Sequence, residues 1–373
     1  MSKAKVLDYI NYFRAIAIIF IVAGHTLCWG HSTMLEFNKL LFAGGTYFFV
    51  FIAGFLFQYL SENFNVKIYF KKKLLNVICP FLITLLPVAL LYTYQNVDNW
   101  AFQHATIEMR FFSVLMGGYI LNGPVWFIGM IFIMFLASPL FLWARKNLKI
   151  YLGLFLATFI LCFIFPRESS VNMFIGFNPY ESSFLDIFYM NLVFYFKSFL
   201  HFAFIYILGM EVSYQIKNNL DFIKNNLKSI FQISLFLYVF HFIVHLFIVK
   251  TSVNQELISK LIETFVLLSG VMLIEEKIKN NKMLDNILNV FAQYSFGIFF
   301  IHGYLINLCY FHSLYTQRNC ETFLNLSANS IYSCLIAFSM FLTVLFGSLF
   351  ILFVIKKVLK ILKIKNTRFF IGV

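Results

Sequence analysis

Long apolar runs separated by short, lysine-rich polar breaks dominate this 373-residue chain. The runs are continuous rather than alternating, which selects membrane-spanning helices over the strands of a barrel. About twenty apolar residues carry a helix across a hydrocarbon core of about 30 Å. By that measure ten segments qualify: 8–28, 40–60, 74–95, 124–144, 148–166, 191–213, 229–249, 257–275, 287–310 and 331–355. The pattern predicts an all-α integral membrane protein with about ten transmembrane helices. Residues 1–373 then form a single polytopic membrane domain, since the longest outer connections, 96–123 and 167–190, are too short for a separate soluble domain. Lys3 and Lys5 ahead of the first run imitate a signal peptide. Arg14 interrupts that run and no small-x-small cleavage site follows, so it is read as a retained helix.

Composition narrows the class. Charged residues make up 12% of the chain and hydrophobic ones 61%, where an ordinary globular protein carries roughly 25% charged. A free-standing soluble enzyme, a disordered chain and a disulfide scaffold are all excluded. The 52 phenylalanines suit lipid-facing and interhelical packing and point to no chemistry. Basic residues outnumber acidic ones 29 to 16, a net charge of +13. On a soluble chain that excess would suggest nucleic acid. Here it is topological, because Lys and Arg collect in cytoplasmic loops, and no nucleic-acid partner is expected. With the N-terminus inside, the cytoplasmic segments hold 21 Lys and Arg and the outer segments six: Lys39, Arg110, Arg167, Lys250, Lys260 and Arg318. The bias holds at every loop, so both termini are expected in the cytoplasm. The basic tail beyond residue 355 is expected along anionic headgroups. The six cysteines show no CxxC and no metal spacing. They read as packing residues, a disulfide involving Cys320 is left open, and no metal is expected.

Ionisable residues within a membrane are costly, so each is a functional candidate. Arg14 and His25 are eleven residues apart, about 20° beyond three full helical turns and about 16 Å along the axis. One face of the first helix thus carries a permanent cation in its inner half and an imidazole near its outer end. Snorkelling of Arg14 and a simple interfacial position for His25 are the plain alternative.

The residues around them resemble a known family. Leu7-Asp8-Tyr9 leading through Arg14-Ala15-Ile16-Ala17 to His25 resembles the opening helix of the acyltransferase family 3 membrane proteins. In the same order, Phe48-Phe49-Val50-Phe51-Ile52-Ala53-Gly54-Phe55-Leu56 is similar to a family segment, with Ala53 at a usual serine. Tyr69-Phe70-Lys71-Lys72-Lys73 running to Pro80 is similar to its basic loop, which is normally Arg-rich, and Asn76 stands where a further basic residue is common. Gly123-Pro124-Val125-Trp126-Phe127, then Ser138-Pro139-Leu140, and lastly Tyr294-Ser295-Phe296 through His302 complete the series. The resemblance implies a multi-pass protein of the bacterial inner membrane. It implies transfer of an acyl group, usually acetyl from cytosolic acetyl-CoA as co-substrate, to a hydroxyl of a carbohydrate or lipid-linked glycan such as lipopolysaccharide or capsule.

The residues suit that chemistry. Lys71, Lys72 and Lys73 offer a cytosolic landing site for the donor's phosphates, although an ordinary positive-inside loop looks the same. Arg14 suits positioning of the donor or polarising its thioester carbonyl. His25, with an imidazole's ordinary pKa of about 6.5, suits general base catalysis on the acceptor hydroxyl. His302, Lys197 and His201 are further candidates for the acceptor, as is Trp126, whose position equally fits an interfacial anchor. His241 and His245 have a metal-capable spacing but no third ligand, so packing is the expectation. Two readings from other classes stay open: a non-catalytic glycan exporter or flippase, and a solute transporter using Arg14, His25 and Lys197 as a relay.

Overall fold

The computed structural model describes residues 7–27, 33–94, 107–108, 111, 125–167, 184–247, 255–314, 331–364 and 366–373. The described residues are almost all helical and include no strands. In order they form α1 (Asp8–Thr26), α2 (Thr33–Phe42), α3 (Thr46–Tyr59), α4 (Val66–Lys73) and α5 (Cys79–Tyr94). These are followed by α6 (Val125–Ala144), α7 (Leu148–Ile164), α8 (Phe184–Asn218), α9 (Leu220–Phe247) and α10 (Gln255–Asn280). The last three are α11 (Lys282–Leu314), α12 (Ile331–Ile361) and α13 (Thr367–Ile371).

Every predicted span coincides with one of these helices, but only eight, among the described residues, are long and apolar enough to cross a bilayer. The span predicted at 148–166 is the 17-residue α7, about 25 Å at 1.5 Å per residue and so short of the core thickness. The span predicted at 74–95 is α5 preceded by a five-residue π-helical segment, Leu74–Ile78. Helix ends also differ from expectation. α8 runs 35 residues, well past the predicted 191–213, because its polar end continues the helix beyond the apolar run. Asparagines start several helices: Asn65 accepts from the Ile68 N–H, Asn147 from the Lys149 N–H and Asn281 from the Leu284 N–H, each at about 3.0–3.1 Å. Of the cysteines, Cys79 and Cys162 are free thiols; Cys320 lies outside the described residues.

Helix packing divides the chain into two compact units. The first comprises Met1–Asn63 with Ile205–Ile351, the second Phe64–Phe204 with Leu352–Val373. In the first, α1 is the central element, packed on α11, α10, α3 and α2. Tyr12, Phe13, Phe48, Phe51, Phe55 and Tyr206 form its fully buried core. A Cβ at Gly54 would collide with the Tyr206 carbonyl, and one at Gly209 with the Phe51 carbonyl. The two glycines therefore let α3 and the end of α8 touch backbone to backbone, as small residues do between membrane helices. The N-terminal end of α1 is held by polar bonds: Asp8 pairs with Lys279 at 3.0 Å, and the Tyr12 hydroxyl donates to Asp285 at 2.6 Å. Outward, α9 presents Ile233, Phe236, Phe240 and Ile243 uncovered at helical spacing. In lipid such a stripe carries no hydrophobic penalty.

In the second unit α6 packs on α7 and α4, and α13 packs on α5 and the π segment. At the end of the basic tail Ile371 and Val373 are buried.

Candidate active site

His25 occupies the last turn of α1, half-buried. Its Nδ1 lies 2.8 Å from the Ile21 carbonyl oxygen. A carbonyl only accepts, so Nδ1 carries the proton and donates it, and the lone pair of the neutral ring is on Nε2. The Ile21 acceptor is itself held in place. A Cβ at Gly45 would fall 2.9 Å from the Ile21 backbone nitrogen, so the entry to α3 presses directly on this turn. Thr26 Oγ1 donates to the Val22 carbonyl at 2.8 Å, tightening the same turn.

His302, from the middle of α11, lies beside His25 with ring centroids 5.1 Å apart and planes tilted by 57°. It is 2% exposed. Its Nδ1 donates to the Phe299 carbonyl at 2.8 Å and reaches that of Ile298 at 3.2 Å, which fixes the same tautomer as in His25. Two imidazoles 277 residues apart in sequence therefore share one locus, each with Nδ1 tied to its own helix. Arg14 lies on the same unbroken helix as His25, half-buried between the buried Phe13 and Ala15.

Sequence reasoning misplaced one cation in this unit. Lys260, counted with the outer loops, is 1% exposed within α10. Its Nζ contacts Glu263 Oε2 at 2.5 Å and donates to the Leu41 carbonyl at 2.8 Å. The rings of Phe20 and Phe48 lie 5.8 and 5.6 Å from it. An opposite-charge pair at i,i+3 inside an apolar run was the available signal, since each partner screens the other from lipid.

The second unit holds the remaining predicted residues. Lys71 and Lys72 are exposed at the end of α4, while Lys73 is half-buried, 4.1 Å from the Phe135 ring centroid. Burial, then the neighbouring Arg368, depresses the Lys73 ammonium to about 8. The π segment begins at the next residue; such segments recur at functional sites. Trp126 packs against Phe202 and Phe194, with the Arg167 guanidinium 5.5 Å from its ring. His201 is 1% exposed, and its Nδ1 donates to the terminal carbonyls of α7, Phe165 at 2.8 Å and Cys162 at 3.0 Å. That bond closes a helix end. Lys197 lies one turn earlier on α8, half-buried.

His241 and His245 stack with a 6° interplanar angle. Among the described residues no group of three or more His, Cys, Asp or Glu could hold a metal ion. No curated protein and no solved structure matches the chain. A family model described as an acyltransferase domain matches residues 7–355, nearly the whole length. With multi-pass helices beneath it and the motif residues His25 and His302 side by side, this chain belongs to the acyltransferase family 3 of integral membrane proteins.

Proposed function

We propose that the protein is a bacterial inner-membrane O-acetyltransferase that moves acetyl from cytosolic acetyl-CoA to a hydroxyl of a cell-surface or secreted carbohydrate. The observation that carries this reading is the His25 tautomer: with Nδ1–H given to Ile21, Nε2 is the basic atom. In the proposed step the sugar hydroxyl gives its proton to Nε2 while its oxygen attacks the thioester carbonyl carbon. The tetrahedral adduct collapses with cleavage of the C–S bond, and the imidazolium returns the proton to the departing thiolate. Arg14 positions the donor, and Lys71, Lys72 and Lys73 attract its phosphates. Trp126, Lys197, His201 and His302 are proposed acceptor contacts.

The test uses purified protein in detergent with acetyl-CoA, following thiol release together with acetyl mass increments on the glycan. The native protein is expected to release thiol only as it acetylates. His25→Ala should lower turnover by about 10²–10⁴-fold at unchanged membrane abundance. Arg14→Lys keeps the charge but loses the planar guanidinium fork, and a marked loss of activity is expected. Normal acetylation by His25→Ala would refute the mechanism, and no thioester cleavage by the native protein would favour an exporter.

A further inference from the structure

Lys73 differs from its two neighbours. Lys71 and Lys72 are exposed, whereas the Lys73 ammonium is drawn over two aromatic rings, Phe135 at 4.1 Å and Tyr69 at 5.3 Å. The short helix α13 comes to the same place from the other end of the chain, packing on α5 and on the π segment that begins directly after Lys73. Its seating is specific. Thr367 Oγ1 donates to the Val373 carbonyl at 2.7 Å. Gly372, at φ 72°, takes the left-handed conformation that a side chain would resist, and its N–H closes the helix on the Arg368 carbonyl at 3.0 Å. Ile371 and Val373 are buried beneath.

Anchored this way, α13 holds the exposed Arg368 close enough to Lys73 to depress its pKa. Among the described residues neither cation has a carboxylate side chain within ion-pair distance. Two like charges brought near one another by the packing of α13 on the segment that follows Lys73, one of them half-buried, cost free energy unless an anion completes the site.

We propose that Lys73 and Arg368 form a two-cation phosphate site, with Tyr69 and Phe135 beneath the ammonium, and that its ligand is a phosphate of the acyl donor. This assignment of the ligand rests on the acyltransferase reading above. Arg368 supplies the planar fork that the all-lysine loop lacks, gripping phosphate through two parallel N–H bonds where lysine offers a point charge. A phospholipid headgroup presents the same chemistry, so the experiment separates the two sources.

Full-length protein is placed in nanodiscs of phosphatidylcholine and, separately, of phosphatidylcholine with phosphatidylglycerol. Binding of CoA and of phosphate-free pantetheine is measured by calorimetry. Arg368→Gln and Lys73→Gln are each expected to weaken CoA about tenfold or more in both nanodiscs, leaving pantetheine binding unchanged, which also reports an intact fold. Arg368→Lys should recover part of the loss, and the double variant should be little worse than either single one. An unchanged CoA affinity in Arg368→Gln would overturn the site while leaving the acyltransferase reading intact. Loss of phosphatidylglycerol retention by native mass spectrometry with CoA affinity unchanged would assign the phosphate to lipid and overturn the donor assignment. Native protein that binds no CoA would overturn the donor reading itself, and this assignment with it.

Discussion

A neutral imidazole has one proton to donate, and both His25 and His302 give theirs to carbonyls of their own helices. The basic nitrogen is therefore set by local helix geometry before any substrate arrives, which removes a tautomer change from the reaction path. Lys73 shows the opposite kind of tuning, since its environment works against its charge. It is charged below its folded pKa of about 8, so a phosphate held by it should bind best below that value. We expect donor affinity to be flat up to about pH 8 and to decline above it, and Lys73→Arg to flatten the profile, because guanidinium stays charged throughout. Folding stability without donor has the reverse sign. The unfolded chain keeps this proton up to its ordinary value of 10.5, so between about 8 and that value the folded state binds fewer protons and gains stability as pH rises. Donor calorimetry and thermal unfolding across pH 7–10 check the two trends, and parallel rather than opposite trends would remove Lys73 from the donor's phosphates.

At the scale of elements, the placement of His25 depends on how α1 meets its neighbours. The turn 43–45 between α2 and α3 presses on Ile21 through Gly45, and the end of α2 just before that turn is tied to α10 by Lys260 through the Leu40 and Leu41 carbonyls. Phe20 of α1 and Phe48 of α3 pack around the same ammonium. One buried ion pair thus joins four helices, meeting α1 at Phe20, five residues before His25. Removing one partner strands the other as a bare charge, so Lys260→Met should destabilise the fold by about 3–5 kcal/mol. Replacing both, Lys260→Met with Glu263→Gln, leaves no buried charge and should recover most of that loss. Thermal unfolding in detergent measures both variants. A double variant as unstable as the single one would show that the carbonyl contacts, not the charge balance, hold the knot.

At the scale of the molecule, apolar run length placed a helix at each of the ten runs, eight of them, among the described residues, long and apolar enough to cross a bilayer, because lipid solvation needs nothing more than continuous apolar sequence of sufficient length. It could not locate their ends, which are set by asparagine caps and by polar turns that stay helical outside the hydrocarbon, as in α8. Nor could it see contacts between distant helices. The family-like segment singled out His302, but its approach to His25 is a property of α1 packing on α11. Lys260 was missed for a different reason: its partner Glu263 lies one turn away inside the span, a local signal that a count of loop charges does not weigh. Moving Lys260 out of the outer loops sharpens the charge asymmetry instead of weakening it: 21 basic residues stand in the segments assigned to the cytoplasm and five in those assigned outside. Since those five are distributed over several connections, reversing the orientation would put nearly every basic cluster on the wrong side of the bilayer. We therefore expect both termini in the cytoplasm. In a cysteine-free background, Ser113→Cys should react with a membrane-impermeant maleimide in intact cells, and Lys146→Cys should react only after permeabilisation. A fluorescent protein fused after Val373 should fold and emit, whereas alkaline phosphatase at the same position should be inactive. The reverse labelling pattern would invert the topology and place Lys71, Lys72 and Lys73 on the face that cytosolic acetyl-CoA does not reach, removing the donor site from the mechanism.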